Sequence, residues 1–155
     1  MKLFTSRFGD IEIEESDIIE FPEGILGFEE LKKYVIIKMD ENTPFVWLQS
    51  TEEPALAFVI INPYEFRDEY EIELSEEDVA LLKLKKPEEA QIYSIVVVPH
   101  GEPAKISANL QGPVIVNREL RIGKQIVLKN SKYGVKHYIL KEMEEKAKKQ
   151  QQGGK

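Results

Sequence analysis

The sequence predicts a mainly-β fold: a closed or nearly closed antiparallel barrel or sandwich of short strands. Apolar runs rich in Val, Ile and aromatic residues recur along the chain, and Gly, Pro or Asn interrupts them roughly every 8–12 residues. Only one stretch has the clear periodicity of an amphipathic helix. A closed barrel would also cover the strand edges that so many β-branched residues would otherwise expose.

The first part of the chain contains short apolar runs that each predict a strand, over residues 2–8, 11–13, 18–21, 34–39 and 45–49. Gly9 and Asp10 separate the first two runs and suit a two-residue hairpin turn, because glycine readily takes a positive φ. Trp47 is flanked by hydrophobic residues and is expected in the core, with an interface anchor as the alternative. Residues 55–61 are apolar on both faces and form the predicted central strand.

A strongly acidic segment follows, with eight carboxylates and one arginine within residues 65–78. Apolar residues alternate with glutamates over residues 70–74, which predicts a strand with one fully acidic face. Ser75 and the three acidic residues after it are typical of a helix N-terminus. The leucine spacing then predicts one helix over about residues 76–85, and Pro87 prevents its continuation.

The C-terminal part is expected to contain strands with well-defined corners. Apolar runs predict strands over residues 91–98, 106–110, 114–116, 126–128 and 133–140. Asn109 and Asn117 each lie at the edge of a run, where a side-chain amide can satisfy the loose backbone groups of a turn. Residues 1–140 are therefore expected to form a single domain. Residues 141–155 are charged and lack a wide apolar stripe, so we expect a frayed helix or a disordered tail.

Composition favours a soluble domain of the cytoplasm. The chain has 155 residues, enough for one hydrophobic core, and its lack of cysteine fits a reducing compartment. Its first residues lack the apolar core of a signal peptide. Its longest apolar run, residues 55–61, is far shorter than the roughly 20 residues that a membrane span needs. We therefore expect a cytoplasmic protein that does not bind a membrane.

Charge is distributed unevenly along the chain. Residues 1–100 carry 23 acidic and 9 basic side chains, whereas residues 101–155 carry 5 acidic and 12 basic ones. The acidic part is unsuited to nucleic acid, because affinity for a phosphate backbone comes mainly from lysine and arginine. It suits the steering of a basic protein, and solubility is the simpler alternative. We expect no direct binding of nucleic acid.

The sequence shows no pattern that indicates catalysis. With two histidines and no cysteine, no His and Cys ligands have the spacing of a metal site, and no phosphate loop or nucleophile elbow is present. Ser107, His100 and an aspartate could be combined into a triad, but any chain with several of each residue offers such triples. The carboxylates cluster on exposed, charged segments rather than in the dry pocket that a general acid needs. No catalytic residue, metal or cofactor is predicted.

Three ordered blocks of sequence resemble the FliW family of flagellar assembly factors. The most detailed block is N-L-Q-G-P-V-I-V-N at residues 109–117, followed by G-K-Q-I-V-L at 123–128. Upstream are F-P-E-G-I-L-G-F at 21–28, and F-V-W-L-Q-S at 45–50 with P-A-L-A-F at 54–58. The resemblance covers roughly residues 2 to 140 in the family's order and spacing, so it implies no role for the residues beyond.

This resemblance implies a mainly-β pseudobarrel and a non-enzymatic cytoplasmic protein with two protein partners. They are flagellin and CsrA, a small RNA-binding translational repressor. Bound to CsrA, such a protein blocks the repression of flagellin mRNA, and free flagellin titrates it away and restores repression. The free protein is expected to be monomeric. A small-ligand-binding β-barrel is the alternative, although seven Phe, six Tyr and one Trp are enough to fill a small barrel.

Candidate partner-binding residues come from these blocks and from the acidic segment. Residues 21–28 are expected to form either a corner with its two phenylalanines in the core or a partner-binding loop. The alternating glutamates are expected to lie near the RNA path of CsrA and to repel phosphate. The asparagine corners are expected to act through loop geometry, with a direct interface as the alternative. The full set is Phe21, Pro22, Gly24, Gly27, Phe28, Glu69, Glu71, Glu73, Asn109, Pro113 and Asn117.

Overall fold

A computed structural model describes residues 1–129 and 132–153. The strands in these residues are β1 (Lys2–Thr5), β2 (Gly9–Glu12), β3 (Ile19–Glu20), β4 (Lys33–Ile37), β5 (Phe45–Ser50), β6 (Ala57–Ile61), β7 (Ala90–Val97), β8 (Ser107–Ala108), β9 (Val114–Asn117), β10 (Ile122–Gln125) and β11 (His137–Tyr138). The α-helices are α1 (Glu76–Leu81) and α2 (Ile139–Gly153). The predicted mainly-β fold is confirmed.

The strands close into a barrel. The large sheet has the order β11-β8-β7-β6-β5-β4-β3-β10-β9, and β7 also pairs with β9, so the sheet returns on itself. The first half of β7 pairs with β9 and its far end pairs with β8, which leaves β8 and β11 as a short flap. β6 lies between β5 and β7, as its two apolar faces predict. β1 and β2 form a separate hairpin.

One joint of the barrel departs from the antiparallel prediction. β3 and β10 are parallel and pair only through Ile122 and Glu20, where the Glu20 N–H donates to the Arg121 carbonyl at 2.9 Å. The prediction of a wholly antiparallel sheet is therefore wrong here. The cause is that β10 returns from a tight hairpin with β9, and this return gives it the same direction as β3. We call this joint the seam.

Two groups of buried side chains form the core. One contains Phe66 and Leu110 and extends to Ile139 at the start of α2. The other contains Phe21, whose ring meets that of Tyr34 edge-on at a centroid distance of 5.3 Å. These aromatic side chains fill the space beside the seam, so the loop that follows β3 is fixed at its root.

Several predicted strands differ in extent from the observed ones. The first hairpin turns at residues 6–8, and Gly9, with φ of 70°, already pairs with Thr5. β10 covers residues 122–125 rather than 126–128, because it starts as soon as the turn after Asn117 is complete. The run 133–140 yields only the two-residue β11 before α2 begins.

The acidic segment at residues 70–74 is not a strand, which corrects that prediction. Its side chains alternate as expected: Tyr70, Ile72 and Leu74 pack inward, whereas Glu71 and Glu73 are exposed. Burial of one face requires only a core to pack against, but a strand also requires a neighbour with matching backbone groups. Within the described residues no such neighbour pairs with this segment.

α1 is shorter than its predicted range. The Ser75 hydroxyl accepts a hydrogen bond from the Asp78 N–H at 3.1 Å, as an N-cap does, but the helix ends at Leu81. Lys83 takes a positive φ of 54°, and the carbonyls of Leu82 and Lys83 are bound by the side chain of Asn117. A contact from a distant corner therefore ends the helix before residue 85.

The C-terminal segment forms a docked helix, which corrects the expectation that it could not dock. Ile139 is fully buried and Met143 packs against the same core. Glu142 and Lys146 add ion pairs to Arg67 and Asp68 at 2.8 and 2.9 Å. A narrow apolar stripe reinforced by these ion pairs is enough to dock the helix. α2 starts at Ile139 and so crosses the predicted boundary after residue 140. No helix in residues 1–129 and 132–153 is long and apolar enough to cross a membrane.

Candidate functional site

The loop at residues 21–28 is held at its root by the seam. Phe21 is fully buried, and its backbone N–H donates to the Lys32 carbonyl at 2.7 Å. Its ring lies directly on Gly123 of β10, where an added Cβ would be 2.6 Å from two ring carbons. Only glycine at position 123 allows this close approach, so one residue of the C-terminal block accommodates one residue of the loop.

Two glycines shape the loop and bring its tip to the surface. Gly24 has a φ of 69°, and a Cβ there would lie 2.6 Å from the backbone of Glu29. Gly27 has a φ of 89°. Between and after them Leu26 is 59% exposed and Phe28 is 41% exposed, although the Phe28 ring still contacts Phe58 edge-on. The loop thus combines a buried corner with an exposed apolar tip; Pro22 is exposed beside the root.

The side chain of Gln125 links the loop tip to the corner at Asn109 through two hydrogen bonds. The Leu26 N–H donates to Gln125 Oε1 at 3.0 Å, and Gln125 Nε2 donates to the Gly112 carbonyl at 3.0 Å. Asn109 Oδ1 accepts from the backbone N–H groups of Gln111 and Gly112 at 3.0 and 2.9 Å. The side chain of Asn109 therefore fixes the turn as its sequence position predicts.

The second corner is buried rather than exposed. Asn117 Oδ1 accepts from the N–H groups of Glu119 and Leu120 at 3.1 Å each, and its Nδ2 donates to the Leu82 carbonyl at 2.8 Å. Asn117 is 1% exposed, and Pro113 is also buried. Both residues lie in the framework that carries the site, and the binding of a partner by either one stays a prediction.

The acidic segment is partly neutralised by the basic C-terminal part of the chain. Lys124 Nζ lies 2.5 Å from Asp78 Oδ1 and 3.6 Å from Glu23 Oε2. Burial alone raises the pKa of Asp78, but hydrogen bonds from Lys124 and Ser75 outweigh burial and hold it below its ordinary value. The hydrogen bond to Asp78 raises the pKa of Lys124. This pair is charged at neutral pH.

The three candidate glutamates are not equivalent. Glu69 pairs with Arg67 at 2.7 Å, and a backbone hydrogen bond followed by this charge holds its pKa below the ordinary value. Glu71 and Glu73 are exposed and have no ion pair within the described part of the chain. Most of the uncompensated negative charge of the predicted face therefore comes from Glu71 and Glu73.

An open groove of about 600 Å³ brings the loop, the acidic segment and the C-terminal block together. We call it the seam groove. Its lining residues are Glu23 and Leu26 from the loop, Glu73, Ser75, Glu77 and Asp78 from the acidic segment, and residues 124–129. Of the predicted set only Glu73 lines it directly, while Phe21, Gly24 and Asn109 position its walls.

Sequence reasoning missed the apolar residues of this groove. Leu26 is 59% exposed and Val127 is 48% exposed, whereas Ile126 and Leu128 are buried. Leu26 lies between Gly24 and Gly27 in the sequence block at residues 21–28. Two glycines this close together indicate a turn, so the exposure of Leu26 at its tip was predictable. No local signal indicated the exposure of Val127, because that exposure depends on how residues 126–128 pair with residues 111–113.

A second cluster of charged residues serves to dock α2. Arg67 Nη1 and His137 Nδ1 each lie 2.8 Å from a different carboxylate oxygen of Glu142. The Gly134 N–H donates to His137 Nε2 at 2.9 Å, which leaves Nδ1 as the protonated nitrogen of the neutral ring. Among residues 1–129 and 132–153 no cluster of acidic, His or Cys side chains is arranged to hold a metal ion.

Comparisons with known proteins agree on one family. Residues 2–139 match the family model described as FliW protein. The flagellar assembly factor FliW of Natranaerobius thermophilus is 43% identical over 147 residues, which cover 95% of this chain and 97% of the relative. That of Leptospira interrogans serogroup Icterohaemorrhagiae serovar Lai is 41% identical over 140 residues, 90% of this chain and 93% of the relative. A crystal structure of the flagellar assembly factor FliW superimposes with a TM-score of 0.83 at 39% identity, covering 90% of this chain and 96% of the other.

Proposed function

This chain belongs to the FliW family of flagellar assembly factors, and from that membership we propose that it works by binding flagellin and, alternately, CsrA. When it holds CsrA, repression of flagellin mRNA is relieved. When free flagellin accumulates, flagellin takes the protein away from CsrA and repression returns. We propose that it does this in the cytoplasm as a monomer, without catalysis and without binding RNA itself.

The observation that carries this proposal is the uncompensated acidic surface beside the seam groove. Glu71 and Glu73 are exposed without ion pairs among the described residues, and Glu77 lines the groove beside them. A protein that binds RNA must present basic surface, so this face complements such a partner in charge. The same charges oppose a phosphate backbone, which supports a protein partner over nucleic acid.

A competition experiment tests the exchange of partners. Purified protein is captured with tagged CsrA, and flagellin is titrated in; we expect CsrA to be released as flagellin binds. A gel shift with flagellin leader RNA serves as control, in which this protein alone is expected to leave the RNA unshifted. Failure to bind either protein, together with a thermal shift from a small metabolite, would favour the alternative of a ligand-binding barrel.

The proposed antagonism has an electrostatic part that can be tested separately. Like charges at about 4 Å cost about 4 kcal/mol at an effective dielectric of 20, so a few exposed acids near an RNA path weaken RNA binding. Replacing Glu69, Glu71 and Glu73 with Gln is expected to leave CsrA bound while RNA release weakens, most strongly at low salt. Because Glu69 is already paired with Arg67, the double change at Glu71 and Glu73 is expected to reproduce most of the effect.

A matched variant controls for the loss of net charge. Glu15, Glu88 and Glu144 are exposed, and their side chains have no hydrogen bond or ion pair within the described residues. Their triple replacement with Gln removes the same charge from outside the seam groove and is expected to release RNA like the wild type. If the triple change at residues 69, 71 and 73 also releases RNA like the wild type at every salt concentration, the electrostatic part is refuted.

A further inference from the structure

The backbone at residues 126–128 presents an open edge. The N–H groups of Ile126 and Leu128 donate to the carbonyls of Pro113 and Gln111, both at 2.8 Å. In an extended chain the N–H and C=O of successive residues point to opposite sides. The N–H and C=O of Val127 therefore point away from residues 111–113. Within the described residues neither group makes a hydrogen bond.

This edge is open because the seam is short. β10 pairs with β3 only at Ile122, and past that residue no strand of the described chain pairs with its free side. The nearby loop contacts it through a side chain, with the Leu26 N–H on Gln125 Oε1. The barrel is thus closed at one end of β10 and open at the other, where the seam groove lies.

The opposite wall of the groove also has backbone groups to offer. No backbone N–H or C=O of residues 72–74 is hydrogen-bonded within the described part of the chain, and Glu73 lines the groove.

The open edge at residues 126–128 lacks the usual protection of a strand edge. Proteins usually protect such an edge with lysine, proline or a bulge at its centre. Here the centre is Val127, an exposed apolar residue without any of these protections.

The charge around the edge indicates what would occupy it. Glu23, Glu73 and Glu77 line the groove, and its Lys124 is already committed to Asp78 and Glu23. Lys129 is the remaining basic residue in the lining. The apolar contacts come from Leu26 and Val127. Alternate side chains of an added strand would face the apolar floor and the acidic rim in turn.

We propose that the seam groove binds an extended peptide segment of a partner protein, in which apolar and basic residues alternate, as a strand added to the edge of β10 and residues 126–128. The main-chain groups of Val127 hold the added strand, and the acidic rim selects its basic residues. This inference rests on the open edge and does not depend on which protein supplies the segment.

The test uses a fluorescent nine-residue peptide of alternating lysine and valine, and the same peptide methylated on the backbone nitrogens that would pair with the edge. Fluorescence anisotropy is expected to show saturable binding of the first peptide and at least tenfold weaker binding of the second. Both carry the same charge, so equal binding would overturn strand addition in favour of charge alone. No binding of either peptide would overturn the proposal entirely.

Substitutions at Val127 distinguish the contribution of its backbone to peptide binding from that of its side chain. Val127→Pro removes the outward N–H and keeps the hydrogen bonds to Pro113 and Gln111, because these come from residues 126 and 128. The two-residue spacing of these hydrogen bonds is that of an extended chain, and an extended backbone is what the residue before a proline favours. This variant is expected to bind the peptide at least tenfold more weakly, whereas Val127→Ala, which keeps the N–H, loses less. Equal binding by Val127→Pro and the wild type would overturn the proposal.

Hydrogen exchange in the wild type provides a readout that needs no variant. If Val127→Pro does not fold, the Val127 amide of the wild-type protein is expected to exchange at least tenfold more slowly when the peptide is bound. Unchanged exchange at Val127 with saturating peptide would refute the added strand. Slow exchange without peptide, accompanied by a dimer in analytical ultracentrifugation, would assign the edge to a second copy of this chain instead.

Discussion

Replacing Asn117 with Ala is expected to destabilise the fold without acting directly on a partner. Asn117 is 1% exposed, and its side chain joins the turn after β9 to the end of α1. The change removes two bonds to the turn and two to the carbonyls of Leu82 and Lys83. The buried Leu82 carbonyl is then left without its side-chain donor.

The size of this effect can be worked from the bonds. A neutral hydrogen bond contributes about 1 kcal/mol net, and a buried group left unsatisfied costs about 1–3 kcal/mol. The 3.3 Å bond to Lys83 is weak, so we expect the free energy of unfolding to fall by about 2–4 kcal/mol. For a domain of this size that corresponds to a melting temperature lower by roughly 4–16 °C.

The assay is urea and thermal denaturation followed by circular dichroism, with two further variants. Asn117→Asp keeps the turn bonds but sets a carboxylate against two carbonyl oxygens, so it is expected to be at least as destabilising at neutral pH and less so in acid. Asn109→Ala loses two bonds at a half-buried site and is expected to cost about 1–2 kcal/mol. If Asn117→Ala melts within 1 °C of the wild type but no longer binds flagellin, the residue contacts a partner and this reasoning fails.

Two further predictions concern the seam and its ion pair. Gly123→Ala is expected to cost about 1–3 kcal/mol by overpacking, since its Cβ would meet the Phe21 ring at 2.6 Å. Adding Phe21→Leu should relieve part of that cost, and a double-mutant cycle in urea with no coupling would contradict it. Asp78→Asn is expected to cost about 1–3 kcal/mol at pH 7 by weakening the bond to Lys124. Because the pKa of Asp78 is held low, its contribution is lost as pH falls, so the two stability curves should converge in acid; a constant gap from neutral to acid pH would contradict this.

Local features of the fold were predictable from the sequence because their causes are local. The alternation of apolar residues located most strands, and the Ser75 cap located the start of α1. Asn109 and Asn117 were recognised as turn residues since an amide can bond backbone groups only two or three residues away. The ordered sequence blocks indicated the family, which residues 2–139 confirm.

Where distant segments meet was decided only by the tertiary structure. Residues 70–74 alternate like a strand but have no strand to pair with among the described residues. α1 ends at Leu81, and the side chain of Asn117 binds the carbonyls of the next two residues, Leu82 and Lys83. The groove exists because β3 and β10 meet at one residue pair and then part. Sequence periodicity records which face of a segment is buried, but not which backbone lies beside it.

The charge of the candidate site shows the same division. The sequence determined that residues 65–78 are acidic and that the C-terminal part is basic. Folding then set Lys124 against Asp78 and Lys146 against Asp68, which left Glu71 and Glu73 among the unpaired charges. Ion pairing depends on separations of a few ångströms between residues far apart in the chain. Only the fold could therefore determine which of the carboxylates remain free to act on a partner.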